Sequence, residues 1–128
     1  MMVNIMLKVN FFHICENAIL ESGTNNVSLI NIFENINANN FPAIHPVLRI
    51  VVGLENKNPG IYDVELVFLD EKAEILKIPA KVTIGTNGKG NWVHKIISYP
   101  IPRELTHQIK LNYEGKTIYT GYLTINNK

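Results

Sequence analysis

Residues 48–55, "LRIVVGLE", decide the fold of this chain. Large aliphatic residues occupy every second position of the stretch: Leu48, Ile50, Val52 and Leu54. Successive side chains of a β-strand point to opposite faces, so this spacing predicts a strand with one face buried in a core. A helix would instead need apolar residues three and four positions apart. The stretch therefore indicates a β-domain.

The same alternation recurs on both sides of this strand. It appears in three further groups: Ile5, Leu7, Val9 and Phe11; Tyr62, Val64, Leu66 and Phe68; and Ile109, Leu111 and Tyr113. Turn-forming sequences separate the groups, namely "KNPG" at 57–60, "DEKAE" at 70–74, "TNGKG" at 86–90 and "YEGK" at 113–116. We expect a hairpin turn at 85–90 and a left-handed Gly115 in the last hairpin. Pro100 and Pro102 are expected to end a strand outside any central ladder.

Strands at this spacing predict an all-β fold in which two antiparallel sheets pack as a sandwich of about eight strands. The general architecture would be immunoglobulin-like. The chain has 128 residues, the length of a single domain, and no linker divides it. We therefore expect one β-sandwich domain over residues 1–128.

Residues 28–46, "SLINIFENINANNFPAIHP", are the ambiguous part of the sequence. Leu29, Ile32, Phe33 and Ile36 have helical spacing, but Ile, Phe, Ser and Asn are weak helix formers. Asn31 stands where a capping box would place Glu or Gln. Strand propensity favours residues 27–34, and we expect residues 35–46 to form a long surface connection.

Several short elements of the chain occur together in a distinctive order: Cys15-Glu16, Ser28-Leu29-Ile30, Ile32-Phe33-Glu34, Phe41-Pro42, the turn from Pro100 to Pro102, and Gly115. In these elements the chain resembles an uncharacterised bacterial family of small β-domains, a domain-of-unknown-function family. The resemblance spans nearly the whole chain. These elements are structural, so the resemblance implies a sandwich and assigns no catalytic residue.

Composition excludes several classes of protein. Hydrophobic residues make up 46% and charged residues 18% of the chain, and the net charge is +1, so neither a disordered chain nor a broad nucleic-acid footprint is expected. No apolar run approaches a membrane span. The N-terminus lacks the basic start of a signal peptide, and Cys15 is the one cysteine. These features favour a cytoplasmic protein.

The sequence offers no strong constellation for catalysis or cofactor binding. Cys15 is expected to be a buried, inert thiol, and "GTNGKG" at 85–90 lacks the ending of a phosphate loop. Asp63 and Glu65 alternate onto a solvated strand face, which does not favour a calcium site. We expect no metal, no cofactor and no catalytic residue. The histidines lack the short spacing of zinc ligands; they are His13, His45, His94 and His107.

Two classes of function remain open from the sequence. The first is a non-catalytic interaction or structural module that binds another protein or a second copy of itself, through the 35–46 segment or a strand edge. Phe41, Ile44 and His45 are its candidate contact residues, although Phe41 could equally plug an end of the sandwich. The second is a small-ligand-binding domain or enzyme with an unrecognised site. Trp92 is expected to be buried and structural.

Overall fold

A computed structural model describes residues 7–127 apart from residues 22, 25 and 72. The β-branched and aromatic residues that alternate in the sequence lie in extended strands, as their strand propensity predicts. Within the described ranges, no helix is long and apolar enough to cross a membrane. The strands are β1 (Lys8–Leu20), β2 (Val27–Ile32), β3 (Asn35–Ala38), β4 (Ala43–Glu55), β5 (Gly60–Asp70), β6 (Ala73–Ile84), β7 (Lys89–Ile101), β8 (His107–Tyr113) and β9 (Lys116–Asn127).

The strands form two sheets, which confirms the predicted all-β sandwich. One sheet has four strands in the order β2-β1-β4-β7, and the other has five in the order β3-β9-β8-β5-β6. Neighbouring strands run antiparallel except β3 and β9, which pair in parallel. The edge strands are therefore β2 and β7 in the first sheet, and β3 and β6 in the second.

The core lies between the sheets and consists of the alternating residues that the sequence identifies. On β4, the four aliphatic residues of "LRIVVGLE" are almost completely buried, and Leu66 and Phe68 of β5 face them from the other sheet. Full burial of such a side chain stabilises the fold by roughly 1.5–3 kcal/mol. Trp92 is 9% exposed and belongs to this core, which confirms its predicted structural position.

The prediction that Phe11 shares the core face of Val9 is wrong. The β1–β4 register shifts between these residues, so that Val9 opposes Leu54 whereas Phe11 opposes Gly53. The shift leaves Asn10 as an extra residue, which is a β-bulge, and a bulge reverses the side-chain parity beyond it. Phe11 therefore lies against Gly53 on the outer face of the sheet, and Ile14 takes the core position. Ile5, predicted to share this face, lies outside the described residues.

The expected surface connection at 35–46 is largely strand. Residues 27–32 form β2, as predicted, but residues 35–38 form β3 on the edge of the five-stranded sheet, and β4 begins at Ala43. Only residues 39–42 connect the two strands. A lone four-residue strand carries too little pattern to be recognised, because its hydrogen-bond partner β9 is some ninety residues later in the sequence.

The turns agree with the sequence at one hairpin and differ at another. Gly115 has φ 76° between β8 and β9, which confirms the left-handed position predicted for it. The segment 85–90 is not a hairpin turn, because β6 and β7 belong to different sheets and it carries the chain across the sandwich. Pro100 lies within β7, a strand at a sheet edge, where proline is tolerated, and β7 ends at Ile101, directly before Pro102.

Candidate functional site

The β1–β2 hairpin extends beyond the sheet to which it belongs. Pairing between β1 and β4 ends at Cys15 and Arg49, but β1 continues to Leu20 with β2 as its only hydrogen-bonded neighbour. Residues 16–21, 23–24 and 26–32 thus form a two-stranded ribbon with its turn, which we call the arm. Two strands alone bury little apolar surface, and an isolated hairpin is marginally stable in water. The arm is therefore the part of the described chain with the least support from the core.

The register of the arm fixes the direction of its backbone groups. The Glu21 N–H group donates to the Asn26 carbonyl at 2.8 Å, so this pair is a hydrogen-bonded one. Bonded and non-bonded pairs alternate along an antiparallel ladder. Ser28 and Ile30 consequently bond to β1, whereas the N–H and C=O groups of Val27 and Leu29 point away from it.

A side-chain contact on the opposite strand agrees with this alternation. Ala18 lies directly across from Leu29, in a non-bonded pair, and its N–H group donates to the Asn17 side-chain oxygen at 2.9 Å. The Ala18 N–H group, on the side of β1 that faces away from β2, is thus hydrogen-bonded to the side chain of the neighbouring residue. Among the described residues no strand lies beyond β2 to pair with the outward backbone groups of Leu29, so β2 has an open edge.

The β2 side of the arm carries no charged side chain. From Thr24 to Phe33 the sequence contains no Asp, Glu, Lys or Arg. Four large aliphatic side chains of the arm are 43–53% exposed: Ile19, Leu20, Ile30 and Ile32. Single exposed aliphatic residues are ordinary, but four on one short ribbon beside an open strand edge indicate a contact surface.

The arm folds back across the outer face of the four-stranded sheet. At its tip, Leu20, Thr24 and Asn26 line a cavity of about 410 Å³ together with Gly90 and Asn91 of β7. Cys15, only five residues before Leu20, opposes Arg49 near the middle of β4, whereas Gly90 opposes the far end of that strand. The chain must therefore turn toward β7 after Cys15. This brings the tip of the arm next to the start of β7.

Cys15 lies at the base of the arm and is fully buried, which confirms its predicted burial. It lies on the outer side of the sheet, opposite Arg49, and not between the sheets. Burial raises the pKa of the Cys15 thiol, and the nearby Arg49 charge partly opposes that change. The Arg49 guanidinium donates to the Glu16 carbonyl and so fastens the arm to β4.

The three contact residues predicted from the sequence fall near the start of β4. Phe41 is half-buried and packs against the core, which is the contact that a plug would make. Ile44 is 67% exposed. His45 is half-buried beside Phe33, with 5.6 Å between the ring centroids. His45 also lines a groove of about 450 Å³ with Glu16 and Asn17, so it lies next to the base of the arm.

A buried polar cluster lies at the C-terminal end of β5, around Asp70. The Tyr99 hydroxyl and His107 Nδ1 are hydrogen-bonded at 2.7 Å, and both side chains are fully buried. Burial lowers the pKa of His107 against the opposing effect of Asp70, while burial and the Asp70 charge raise the pKa of Tyr99. Asp70 is held by Arg103 at 3.3 Å. His107 Nε2 has no hydrogen-bond partner among the described residues.

This cluster combines a histidine with a carboxylate, a pair that could carry out acid–base catalysis if the chain were an enzyme, the second class of function left open by the sequence. A general acid or base must reach its substrate directly or through one water molecule. The cavities of about 920, 450 and 410 Å³ are lined by other residues. The Tyr99–His107 hydrogen bond lies in the core, where it links β7 of one sheet to β8 of the other.

A wide cavity lies at the end of the sandwich near the start of β1. It has about 920 Å³ and is lined by Lys8, Glu55, Asn56 and Lys57 together with the 86–88 turn and β9. It is wide and open, and it contains no histidine. Within the part of the chain that the structure describes, no three His, Cys, Asp or Glu side chains form a group that could hold a metal ion.

Sequence reasoning found the strand β2 but missed the arm. Whether a strand lies at an edge depends on its neighbours, which the sequence of β2 does not contain. One signal was present: the ten-residue run from Thr24 to Phe33 combines strand-forming residues with a complete lack of charge. Edge strands usually carry Lys or Pro, so an uncharged strand is either central or a contact edge.

Comparison with known proteins identifies a family and a fold. The sequence profile of a family of unknown function (DUF6941) matches residues 10–126. No curated protein matches the sequence. A β-glucosidase from Listeria innocua shares 10% sequence identity with the chain at a TM-score of 0.57, over 97% of this chain and 16% of that one.

A second solved structure is the alkylpurine DNA glycosylase AlkC from Pseudomonas fluorescens, bound to DNA containing an abasic site analogue. Its identity is 9% and its TM-score 0.53, over 94% of this chain and 30% of that one. The chain thus spans less than a third of either structure. At such low identity the likeness shows that the two larger proteins contain a region with the same sandwich fold, and it assigns no activity.

Proposed function

Since the chain belongs to a family of unknown function, we propose its role from its own surface: it is a non-catalytic module that binds a protein segment by strand addition. The segment would pair with the open edge of β2. The single observation that carries this proposal is the outward direction of the Val27 and Leu29 backbone groups on an uncharged, apolar edge strand.

Strand addition uses the backbone for affinity and the side chains for selectivity. An extended partner segment would accept from the N–H groups and donate to the C=O groups that β2 presents outward. Its side chains would lie beside Ser28 and Ile30, which are exposed. The added strand would also give the arm a third strand, the number from which a sheet becomes stable by itself.

The groove at the base of the arm extends this contact surface. A segment that passes beyond the end of β2 would reach the region of Ile44 and His45, two of the residues that the sequence predicts as contacts. Phe41 contributes to the core and not to the partner. We place the protein in the cytoplasm, in keeping with its one cysteine, Cys15, which is buried and unpaired.

Site-specific photo-crosslinking in the producing cell tests the proposal. A benzophenone side chain at Ser28 should form a covalent adduct with a polypeptide, identified by mass spectrometry. The same group at Lys77, on the edge strand β6 of the other sheet, should not. Leu29→Pro removes an outward N–H group without removing a bond to β1, so it should abolish the Ser28 adduct. Equal adducts at both edges, or none at Ser28, would contradict the proposal.

A further inference from the structure

We propose that the strand added at the open edge is β2 of a second copy of this chain, so that the two arms pair antiparallel across a two-fold axis. This inference rests on the proposed function, because it names the occupant of the same edge. It adds the hydrogen bonds that the arm lacks in a single chain.

The outward backbone groups of β2 are complementary to themselves. In an antiparallel pair, the two copies of a strand can satisfy each other through the same residues, as an isologous interface requires. The outward groups belong to Val27 and Leu29, which are two residues apart. One alignment pairs Val27 of each copy with Leu29 of the other, and it places Ser28 on the two-fold axis opposite its own symmetry mate.

The side chains around the axis fit the same arrangement. Ser28 is small and exposed, so two copies can approach without a clash at the centre. Exposed Ile30 lies two positions away on the same face, where this alignment places it opposite Asn26 and diagonal to Ser28 of the other copy. Directly opposed β-strand residues in a non-bonded pair lie about 4.5 Å apart at Cα, which is within the range that a disulfide spans.

The lack of charge on β2 also favours a second copy of the chain over a charged partner segment. No charged side chain occurs from Thr24 to Phe33, so the edge offers nothing for an acidic or basic segment to recognise. The net charge of the chain is +1, and two copies would repel each other little. An uncharged, unprotected edge is a known route to self-association, which natural sheets otherwise prevent with Lys or Pro.

Sedimentation equilibrium of the purified full chain over a wide concentration range tests the inference. The wild type should be a reversible dimer. Leu29→Pro and Ile30→Lys should each raise the dissociation constant at least about tenfold. Ile61→Lys is the control, because Ile61 is an exposed isoleucine on β5, away from the open edge, and it should leave the dimer unchanged. Circular dichroism and a thermal melt verify that each variant is folded.

A disulfide at the axis tests the alignment itself. Ser28→Cys, made together with Cys15→Ala, should give a covalent dimer under mild oxidation, while Ile61→Cys in the same background should remain monomeric. A wild type that is monomeric throughout, or a dimer that survives Leu29→Pro, would overturn the inference. If the wild type is monomeric but Ser28 still crosslinks to a different protein in cells, only the second copy is wrong. A monomer without any Ser28 adduct overturns the proposed function as well.

Discussion

The arm and the β5–β6 hairpin are both antiparallel hairpins that end at the edge of a sheet, but their surroundings differ. The inner face of β5–β6 contributes Leu66, Phe68 and Ile84 to the core, and all three are almost completely buried. The described residues of the arm contribute exposed aliphatic side chains and no member of that buried core. One hairpin therefore helps to form the core of the sandwich, and the described part of the other does not.

The two edges differ in the same sense. On β6, Pro79 withholds an N–H group, and Lys77 and Lys81 pair with Glu65 and Asp63 at 3.5 Å and 2.7 Å. A proline and charged side chains are the features that keep an edge strand from pairing with another chain. The edge strand β2 has neither. The features that oppose pairing with another chain are therefore present on β6 and absent from β2.

The largest expected effect is the loss of stability when a large apolar side chain is truncated in each of the two hairpins. Phe68→Ala on β5 should lower the free energy of unfolding by about 3–5 kcal/mol, because it opens a cavity at a fully buried position. Ile30→Ala on the arm is the matched comparison and should change it by less than about 1 kcal/mol, since Ile30 is nearly half exposed. Urea unfolding of both variants, at a concentration where the chain is monomeric, gives the values. Equal losses would mean that the arm belongs to the core.

A second substitution examines the polar end of β5. Tyr99→Phe removes the hydroxyl that hydrogen-bonds to His107 and leaves His107 Nδ1 without its buried partner. The expected cost is about 1–3 kcal/mol, the desolvation penalty of an unsatisfied buried group. Tyr113→Phe is the control, because Tyr113 is only half-buried, and it should cost less. An unchanged unfolding midpoint in Tyr99→Phe would show that the cluster does not hold β7 to β8.

The pH dependence of stability near neutral pH should come from histidines of the two sheets and not from the arm, which contains no histidine. Burial lowers the pKa of His107, so the folded protein resists a proton that the unfolded chain binds. Stability should therefore be constant above about pH 7 and fall as the pH drops through the ordinary histidine pKa of about 6.5.

One such group contributes at most about 1.4 kcal/mol per pH unit. Burial also lowers the pKa of His94, with the same sign. Urea unfolding of the wild type at pH 7.5 and pH 5.5 measures the total, and His107→Gln should reduce the slope to what His94 contributes. A slope that is identical in His107→Gln would contradict the assignment to His107.

The smallest expected effect lies on the outer face of the β5–β6 hairpin. The Lys81–Asp63 pair is well exposed on both sides, so Lys81→Met should change the free energy of unfolding by no more than about 0.5 kcal/mol. Its consequence should appear in association instead, because it removes a charge from the protected edge. Sedimentation of Lys81→Met should therefore be checked for new oligomers. A large loss of stability would show that the pair has a structural role.

The sequence by itself determined the strands, the core and one hairpin of this protein. Alternation is a local signal with a period of two residues, so Leu48, Leu66 and Trp92 could be assigned to the core without knowledge of their neighbours. Gly115 was equally predictable, because a left-handed turn position favours glycine whatever surrounds it. The all-β sandwich followed from the number and spacing of these local patterns.

Only the tertiary structure decided the rest, because it depends on which strands meet. The bulge at Asn10 reverses the faces of Phe11 and Cys15, and it exists through the register with β4. The strand β3 exists through its pairing with β9. The open edge of β2 is likewise a relation between strands: "VSLINI" has the pattern of any apolar strand, and it lies at an open edge only because no other strand of the described chain pairs with its outer side.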